Sequence, residues 1–347
     1  VSAGGGRVRI YDVASRAGVS VATASKALND TGRMTEDTRQ RVKAAATELG
    51  FRPNAMARGL IQKRSFTIGL LTNDTYGRFT LPVMAGISEA LVDQGVSVFL
   101  CGIEDDPALG RVHLDAMLDK QVDGIIASGK RIDRRLPVDL SNLPVPVVYA
   151  FTEGHEGSVT LVSDDFQGSA EAVEHLIALG CKRIVHVTGP ETFASVKERT
   201  KAYRAGIGGD GVVLYGAWSE HWGHEAVAQL WQQGETPDAI FCGNDQIARG
   251  VVDALRERGV KVPADVSVVG FDNWEIVAGQ TRPPLTSVDM NLKALGREAG
   301  RLVLELAEGK PVEPGVRKLP CQLVIRESCG GNAAVTESRG GVVAAVD

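Results

Sequence analysis

The stretch DVASRAGVSVATASKALN, Asp12–Asn29, carries the periodicity of two short helices yet holds hardly any large side chain. Its apolar positions are Val13, Ala14 and Ala17, then Val19, Ala24 and Leu28; they suit two helices crossing steeply through a tight turn. Ala14 is small where the helices meet, and Gly18 gives the turn its backbone freedom. Ser20 is placed to cap the second helix, Val21–Leu28, because its hydroxyl accepts an amide two or three residues on. The outer face of that helix offers little beyond Ala, Ser, Thr and one Lys. Such small side chains let a helix approach the floor of a DNA major groove with its N-terminal residues facing base edges. An ordinary αα-corner is the alternative.

Outward from this pair, Ile10–Ala17 reads as the first helix and Glu36–Leu49 as the third. Thr35 caps the third, with Glu36 and Asp37 in its first turn, where the helix dipole favours anions. Gly50 closes it and Pro53 prevents its continuation. Charge is divided unevenly: residues 1–64 hold 12 Lys/Arg against 5 Asp/Glu, and the remainder 26 against 38. A basic head on an acidic body is the asymmetry of nucleic-acid binding confined to one end. The length, 347 residues, implies two or three domains. No apolar run nears the ~20 residues that span a bilayer, so no membrane partner is expected. Five scattered cysteines without a CxxC suit a reducing cytoplasm rather than disulfides or structural zinc. The leader VSAGGGRVR lacks the apolar stretch of a secretory signal, which again points to the cytoplasm.

From Phe66 the pattern becomes apolar strands alternating with helices. FTIGLL, VSVFLC, GIIAS and VPVVYA alternate with helices near Pro82–Gln94 and Ala108–Lys120. A second run follows: SVTLVS, RIVHVTG, VVLYG, AIFCGN and SVVGFD. Its helices are expected over Phe166–Leu179 and near Lys197–Gly208, Gly223–Gln233 and Asp245–Arg258. Strands this apolar, separated by amphipathic helices, imply parallel sheets covered on both faces. LTSV, the helix Leu292–Glu308 and a strand pair around Lys318–Ile325 are too few for a third domain. They are expected to pass back across the gap and complete both sheets.

The runs IYDVASRAGVSVATASKALN and TEDTRQRVKAAATELGFRPNAMARGL closely resemble the DNA-binding head of LacI/GalR-type transcriptional regulators. GNDQIARGVVDAL, VSVVGFDN and RPPLTSVDMN resemble that family's effector-binding domain, so the likeness spans most of residues 8–328. It implies an α/β fold: a helix-turn-helix head plus a two-lobed, periplasmic-binding-protein-like body of two doubly wound parallel-sheet subdomains. By position, the resemblance puts Val21, Ala22 and Lys26 where bases are read. Lys26 can donate to guanine as a point charge, without the fork of an Arg; Val21 and Ala22 offer only apolar contact. Ser20, Thr23, Ser25 and Asn29 suit phosphate oxygens, setting register rather than sequence; simple helix-surface polarity is the alternative for Thr23 and Ser25. The segment Asn54–Leu60 is too short to be a stable isolated helix. The resemblance implies a hinge helix that folds on DNA against its dimer mate, with Ala57 where the helices meet and Leu60 wedged into the minor groove.

In the body, residues just after predicted strands are the candidates for a small-molecule cleft. They are Asp74, Phe79, Arg199, Trp218, Asn244 and Asp272. Arg199, Asn244 and Asp272 coincide with effector-contacting positions of the family, and Trp218 with its stacking aromatic. Asp74 is either a ligand or a turn residue, and Asp245 reads as the N-cap of the helix that follows. Where several sugar-responsive relatives carry an acid, this chain has Ala150-Phe151-Thr152; Phe151 can stack on a ring. The expected effector is a sugar, and a nucleobase is the alternative. His221 and His224 lack a third ligand and read as a solvated helix start. GxxxxGK[ST], GxSxG and HExxH do not occur, so neither a catalytic centre, a metal nor a cofactor is expected.

The expected boundaries are a leader over 1–8, a helix-turn-helix domain over 9–53 and a hinge helix with linker over 54–64. An effector-binding and dimerisation body follows over 65–328. Its N-subdomain takes about 65–162 and 290–319, and its C-subdomain about 163–289 and 320–328. A mobile tail over 329–347 shows no heptads, which implies a homodimer rather than a tetramer. Together these features imply an effector-controlled transcriptional repressor on a near-palindromic operator in double-stranded DNA. A solute-binding protein of the same two-lobed architecture is the alternative.

Overall fold

Residues 8–51 and 64–331 are described by the structure, a computed structural model. The chain divides into two compact units, Val1–Phe66 and Thr67–Asp347.

Three helices form the described part of the first unit: α1 (Ile10–Ala17), α2 (Val21–Leu28) and α3 (Glu36–Glu48). Each begins on a local side-chain bond. Arg9 N donates to Asp12 Oδ2 at 2.7 Å, Thr23 N to Ser20 Oγ at 3.1 Å, and Thr38 N to Thr35 Oγ1 at 3.3 Å. The turn between α1 and α2 passes through Gly18 at φ +66°, a conformation that L side chains rarely adopt. The core is built from small residues: Val13, Ala14, Ala17, Ala24, Ala27, Val42, Ala45 and Ala46 are all buried. Arg41 Nε donates to the Ala17 carbonyl at 3.1 Å and ties α3 to the end of α1.

The second unit holds two sheets of six strands. β1 (Thr67–Thr72), β2 (Ser97–Gly102), β3 (Gly124–Ser128), β4 (Val147–Ala150), β5 (Val159–Ser163) and β11 (Gly315–Leu319) run in the order β11-β5-β4-β3-β1-β2. All neighbours in this sheet are parallel. The other sheet joins β6 (Ile184–Thr188), β7 (Val213–Tyr215), β8 (Ala239–Cys242), β9 (Ser267–Asp272), β10 (Thr286–Asp289) and β12 (Gln322–Val324). Its order is β12-β10-β9-β8-β6-β7, with only β12 antiparallel to its neighbour. The last strands do complete one sheet each. The strand order reverses at β1/β3 and again at β6/β8, the places where open α/β sheets hold ligands beyond their carboxyl ends.

The helices are α4 (Thr80–Leu91), α5 (Pro107–Asp119), α6 (Asp165–Ala178), α7 (Ala194–Ile207), α8 (Glu220–Gln232), α9 (Asp245–Glu257), α10 (Glu275–Ala278) and α11 (Leu292–Ala307). α4 and α11 touch backbone to backbone: a Cβ on Gly86 would strike the Lys293 carbonyl, and one on Gly296 the Val83 carbonyl. Three helices start earlier than the sequence pattern predicts because acceptors outside the pattern catch their first amides. Asp74 does so for α4, Asp133 for α7 and Ser219 for α8. Where the chain crosses between sheets, its strands are laced together. Ser163 Oγ donates to the Met290 carbonyl at 2.8 Å, and Asp164 N to the Leu319 carbonyl at 2.8 Å.

One expectation needs correction at the end of the body. Cys329, read as the start of a mobile tail, is buried and accepts a hydrogen bond from Ser267 Oγ on its carbonyl at 3.2 Å. The tail from residue 332 on, the leader to residue 7 and the hinge residues Asn54, Ala57 and Leu60 lie outside the described residues.

Candidate functional site

On α2 the structure separates the DNA-contact candidates by exposure. Ala22, Lys26 and Asn29 are exposed and recur at helical spacing along one stripe. Val21 is only half exposed and packs against the small head core, so its side chain is shared between that core and the surface. Ser20 and Thr23 bond each other through their hydroxyls at 2.9 Å while Ser20 caps the helix. Asn29 Nδ2 donates to the Ser25 carbonyl at 2.9 Å, which fixes its side chain along the last turn. The sequence reading passed over Tyr11, which is 68% exposed although aromatic. It also passed over Arg33, which is exposed with no ion-pair partner among the described residues. An aromatic in so small a head, unable to fit its core, was the available signal for Tyr11.

In the second unit a cavity of about 300 Å³ opens where loops from the carboxyl ends of both sheets converge. Phe79, Phe151, Arg199, Trp218, Asn244 and Asp272 all line it. Asp74 does not. Its Oδ2 accepts from Phe79 N at 2.8 Å and Thr80 N at 2.9 Å, making it the cap of α4. The reading of Asp245 as a helix cap is also corrected. Asn244 caps α9 through Oδ1, accepting from Ile247 N at 2.8 Å. Asp245 is fully buried one residue further on; it accepts from Ser287 Oγ at 2.5 Å and Trp274 N at 2.7 Å. That carboxylate therefore pins the loop after β9 to the start of α9 and to β10. Burial pushes the Asp245 carboxyl up to about 7, against the pull of those two hydrogen bonds.

Cavity residues that the sequence reading missed are Arg78, Lys130, Arg131, Ile132, Asp133, Phe193 and Ser195. Lys130 to Asp133 follow β3, and Arg78 follows β1, so the rule that selected the other candidates reaches them too. Arg78 donates to Gln246 Oε1 at 2.8 Å and to Asp272 Oδ2, joining the β1 loop to α9 and to the end of β9. Its guanidinium also lies 4.8 Å from the Trp274 ring centroid and 5.2 Å from that of Phe79. A second bridge runs from Asp133, which accepts from Ala194 N at 2.9 Å and pairs in fork geometry with Arg131 at 2.9 and 3.0 Å. Arg131 in turn sits 3.5 Å from the centroid of Phe193.

Arg199 is buried with Asp165, donating Nε to Oδ1 at 2.7 Å, and lies over the Phe271 ring at 3.6 Å. Nη2 also pairs with Asp165 Oδ1, at 2.6 Å, and Nη1 donates to the Gly243 carbonyl and lies 4.0 Å from Asp272 Oδ1. Burial pushes the Asp165 carboxyl up while Arg199 pulls it down. Phe79 and Phe151 stack at 4.9 Å, and Phe193 meets Trp218 edge-on at 5.9 Å. Aromatic faces beside fixed polar groups suit a small polar molecule with a ring to stack. Among the described residues no cluster of His, Cys, Asp or Glu is placed to hold a metal ion, and no helix is long and apolar enough to cross a membrane.

Comparison with known proteins agrees with this geometry in both units. Residues 9–54 match the family described as bacterial regulatory proteins, lacI family, and residues 173–329 match a periplasmic binding protein-like domain. Catabolite control protein A of Priestia megaterium is 32% identical over 329 residues, spanning 92% of this chain and 99% of that protein. A lac repressor dimer bound to operator and the anti-inducer ONPF superposes with a TM-score of 0.73 at 29% identity, over 93% of this chain and 99% of that one. The transcriptional regulator CelR in complex with cellobiose gives 0.65 at 29% identity, over 93% and 100%.

Proposed function

This chain belongs to the LacI family of bacterial regulatory proteins, and from that premise we propose that it is a dimeric, cytoplasmic repressor of a near-palindromic operator, controlled by a sugar-sized effector. The observation that carries the reading is the pairing in one chain of two unlike features. One is a reading helix with an exposed Ala22–Lys26–Asn29 stripe; the other is a polar and aromatic cavity lined from both sheets of the body. The lac repressor dimer on its operator and the CelR–cellobiose complex support the DNA and sugar halves respectively.

In this mechanism Lys26 and Ala22 face base edges while Ser20, Thr23, Ser25 and Asn29 set register on phosphates. Val21 keeps only its outer edge for the groove. Asn54, Ala57 and Leu60 act as the hinge that folds on the operator. Direct readout by this stripe is thin, so groove deformation carries much of the specificity. Phe79, Phe151, Arg199, Trp218, Asn244 and Asp272 form the effector site, joined by Arg78, Lys130 and Arg131. An effector acts by favouring one relative placement of the lobes through its differential affinity for the two states. The boundaries expected from sequence, with crossings near 163, 290 and 320, are the proposed hinges of that motion.

Deleting residues 1–64 separates this reading from a solute-binding protein of the same architecture. A regulator loses specific DNA binding and keeps ligand binding. If the truncated body behaves in every assay as the full chain does, the proposal fails.

A further inference from the structure

We infer that the effector of this chain is an anionic sugar derivative, bearing a carboxylate or a phosphoryl group, rather than a neutral sugar. The inference rests on the sugar-sensing reading above and narrows it.

The carboxylates at the cavity wall are already matched by the protein's own cations. Asp133 holds both arms of Arg131 and the Ala194 amide, and Asp272 holds Arg78 with Arg199 near its other oxygen. Each hydroxyl of a neutral sugar brings a donor as well as acceptor lone pairs, and those donors meet these acceptors only in competition with arginines, whereas an oxyanion brings acceptors alone. Donors, by contrast, are left over. Asn244 is 3% exposed and spends Oδ1 on the α9 amide, and its Nδ2 has no partner among the described residues and remains for the cavity. Arg78 Nε is buried with no acceptor among the described residues, a cost relieved by an oxyanion that reaches it while the other two nitrogens keep Gln246 and Asp272. Lys130 pairs with Asp105 at 2.6 Å, but that pair is over a third exposed on each side and exchanges readily for a bound anion.

Two further observations point the same way. Arg78 and Arg199 approach the same Asp272 carboxylate, and Arg78 is held down to about 10, first by burial and also by the like charge of Arg199, against the pull of Asp245 and Asp74. α7 begins at the cavity with Phe193 at its N-cap and no side-chain cap. Asp133 meets the Ala194 amide, and the helix end adds its own positive potential.

The test is calorimetric titration of the full chain with matched sets: several aldoses, the uronic acid of each, and the terminal phosphate ester of each. One anionic member is expected to bind at least tenfold more tightly than its neutral parent, with a preference that weakens as salt rises. The carboxylate and phosphate arms identify which oxyanion is used. Lys130→Gln, a partly exposed site, should at least halve the preference, and Arg78→Met should bring it under threefold. A neutral parent binding as tightly as its anions would overturn this inference and leave the sugar-sensing reading standing. An unchanged preference in both variants would overturn it as well. If no sugar in the panel binds, whether or not a purine or pyrimidine does, both fall.

Discussion

Asp245→Asn should change how the stability of the body depends on pH, and the size of the change follows from its surroundings. The carboxyl is fully buried, holds Trp274 N and Ser287 Oγ, and is raised from 3.8 to about 7. A carboxyl raised on folding is bound to its proton more tightly in the native than in the unfolded state. Its contribution is therefore fully present at low pH and is lost as pH rises from the unfolded pKa through the folded one. The slope is about 1.36 kcal/mol per pH unit between the two values, so wild type loses roughly 2–3 kcal/mol from this group between pH 5 and pH 8. Asn has the same shape, cannot ionise, and keeps an oxygen for Trp274 N and an amide for Ser287 Oγ. Urea unfolding of both proteins at pH 5, 6, 7 and 8 cancels the titration of every other group. The variant should gain on wild type steadily across that range. A difference that stays constant with pH would mean that Asp245 ionises normally in the fold, and the burial argument would be wrong.

Arg199→Met strips the partner from buried Asp165 and should cost about 3–5 kcal/mol, most of it recovered when Asp165→Leu is added; denaturant titrations in which the double variant is no better than the single would refute the pairing. Thr35→Ala removes the acceptor for Thr38 N and should cost the head about 1 kcal/mol, read as faster amide exchange throughout α3. Leu60→Ala should reduce discrimination between operator and scrambled DNA more than Lys26→Ala does, in competition binding at fixed salt. The reverse order would show that base contacts from α2 outweigh groove deformation.

Much of the architecture is legible in local chemistry. GIIAS and SVTLVS are too apolar to be anything but strands covered on both faces, and both are buried along their length. Ser20 and Thr35 announce helix starts because a cap bond spans only three residues. The misreadings occur where an acceptor's partner depends on the tertiary fold. Asn244 and Asp245 both qualify as caps by type and position, and Trp274 and Ser287, 29 and 42 residues away, decide that Asp245 turns inward. Asp74 shows the same limit: its carboxylate suits a ligand, yet it captures the first amides of α4 instead. Arg78 follows β1 and is within reach of the strand-end rule, but its partner Asp272, 194 residues away, is set by the tertiary fold. The family resemblance places Val21 among the base contacts by position, and its contact with the head core emerges only once three helices assemble.

The central claim is that one chain couples sequence-specific DNA binding to occupancy of the body cavity. Fluorescence anisotropy of the full chain tests it most directly, using a palindromic duplex selected by the protein from a random pool and a scrambled duplex of equal length. At about 0.15 M salt the selected duplex should bind on the order of 10³-fold more tightly or better. The tightest cavity ligand, at saturation, should shift that affinity by roughly 5–150-fold while leaving scrambled DNA nearly unaffected. Equal binding to both duplexes, or a selected-site affinity that does not respond to a saturating ligand, would contradict the account.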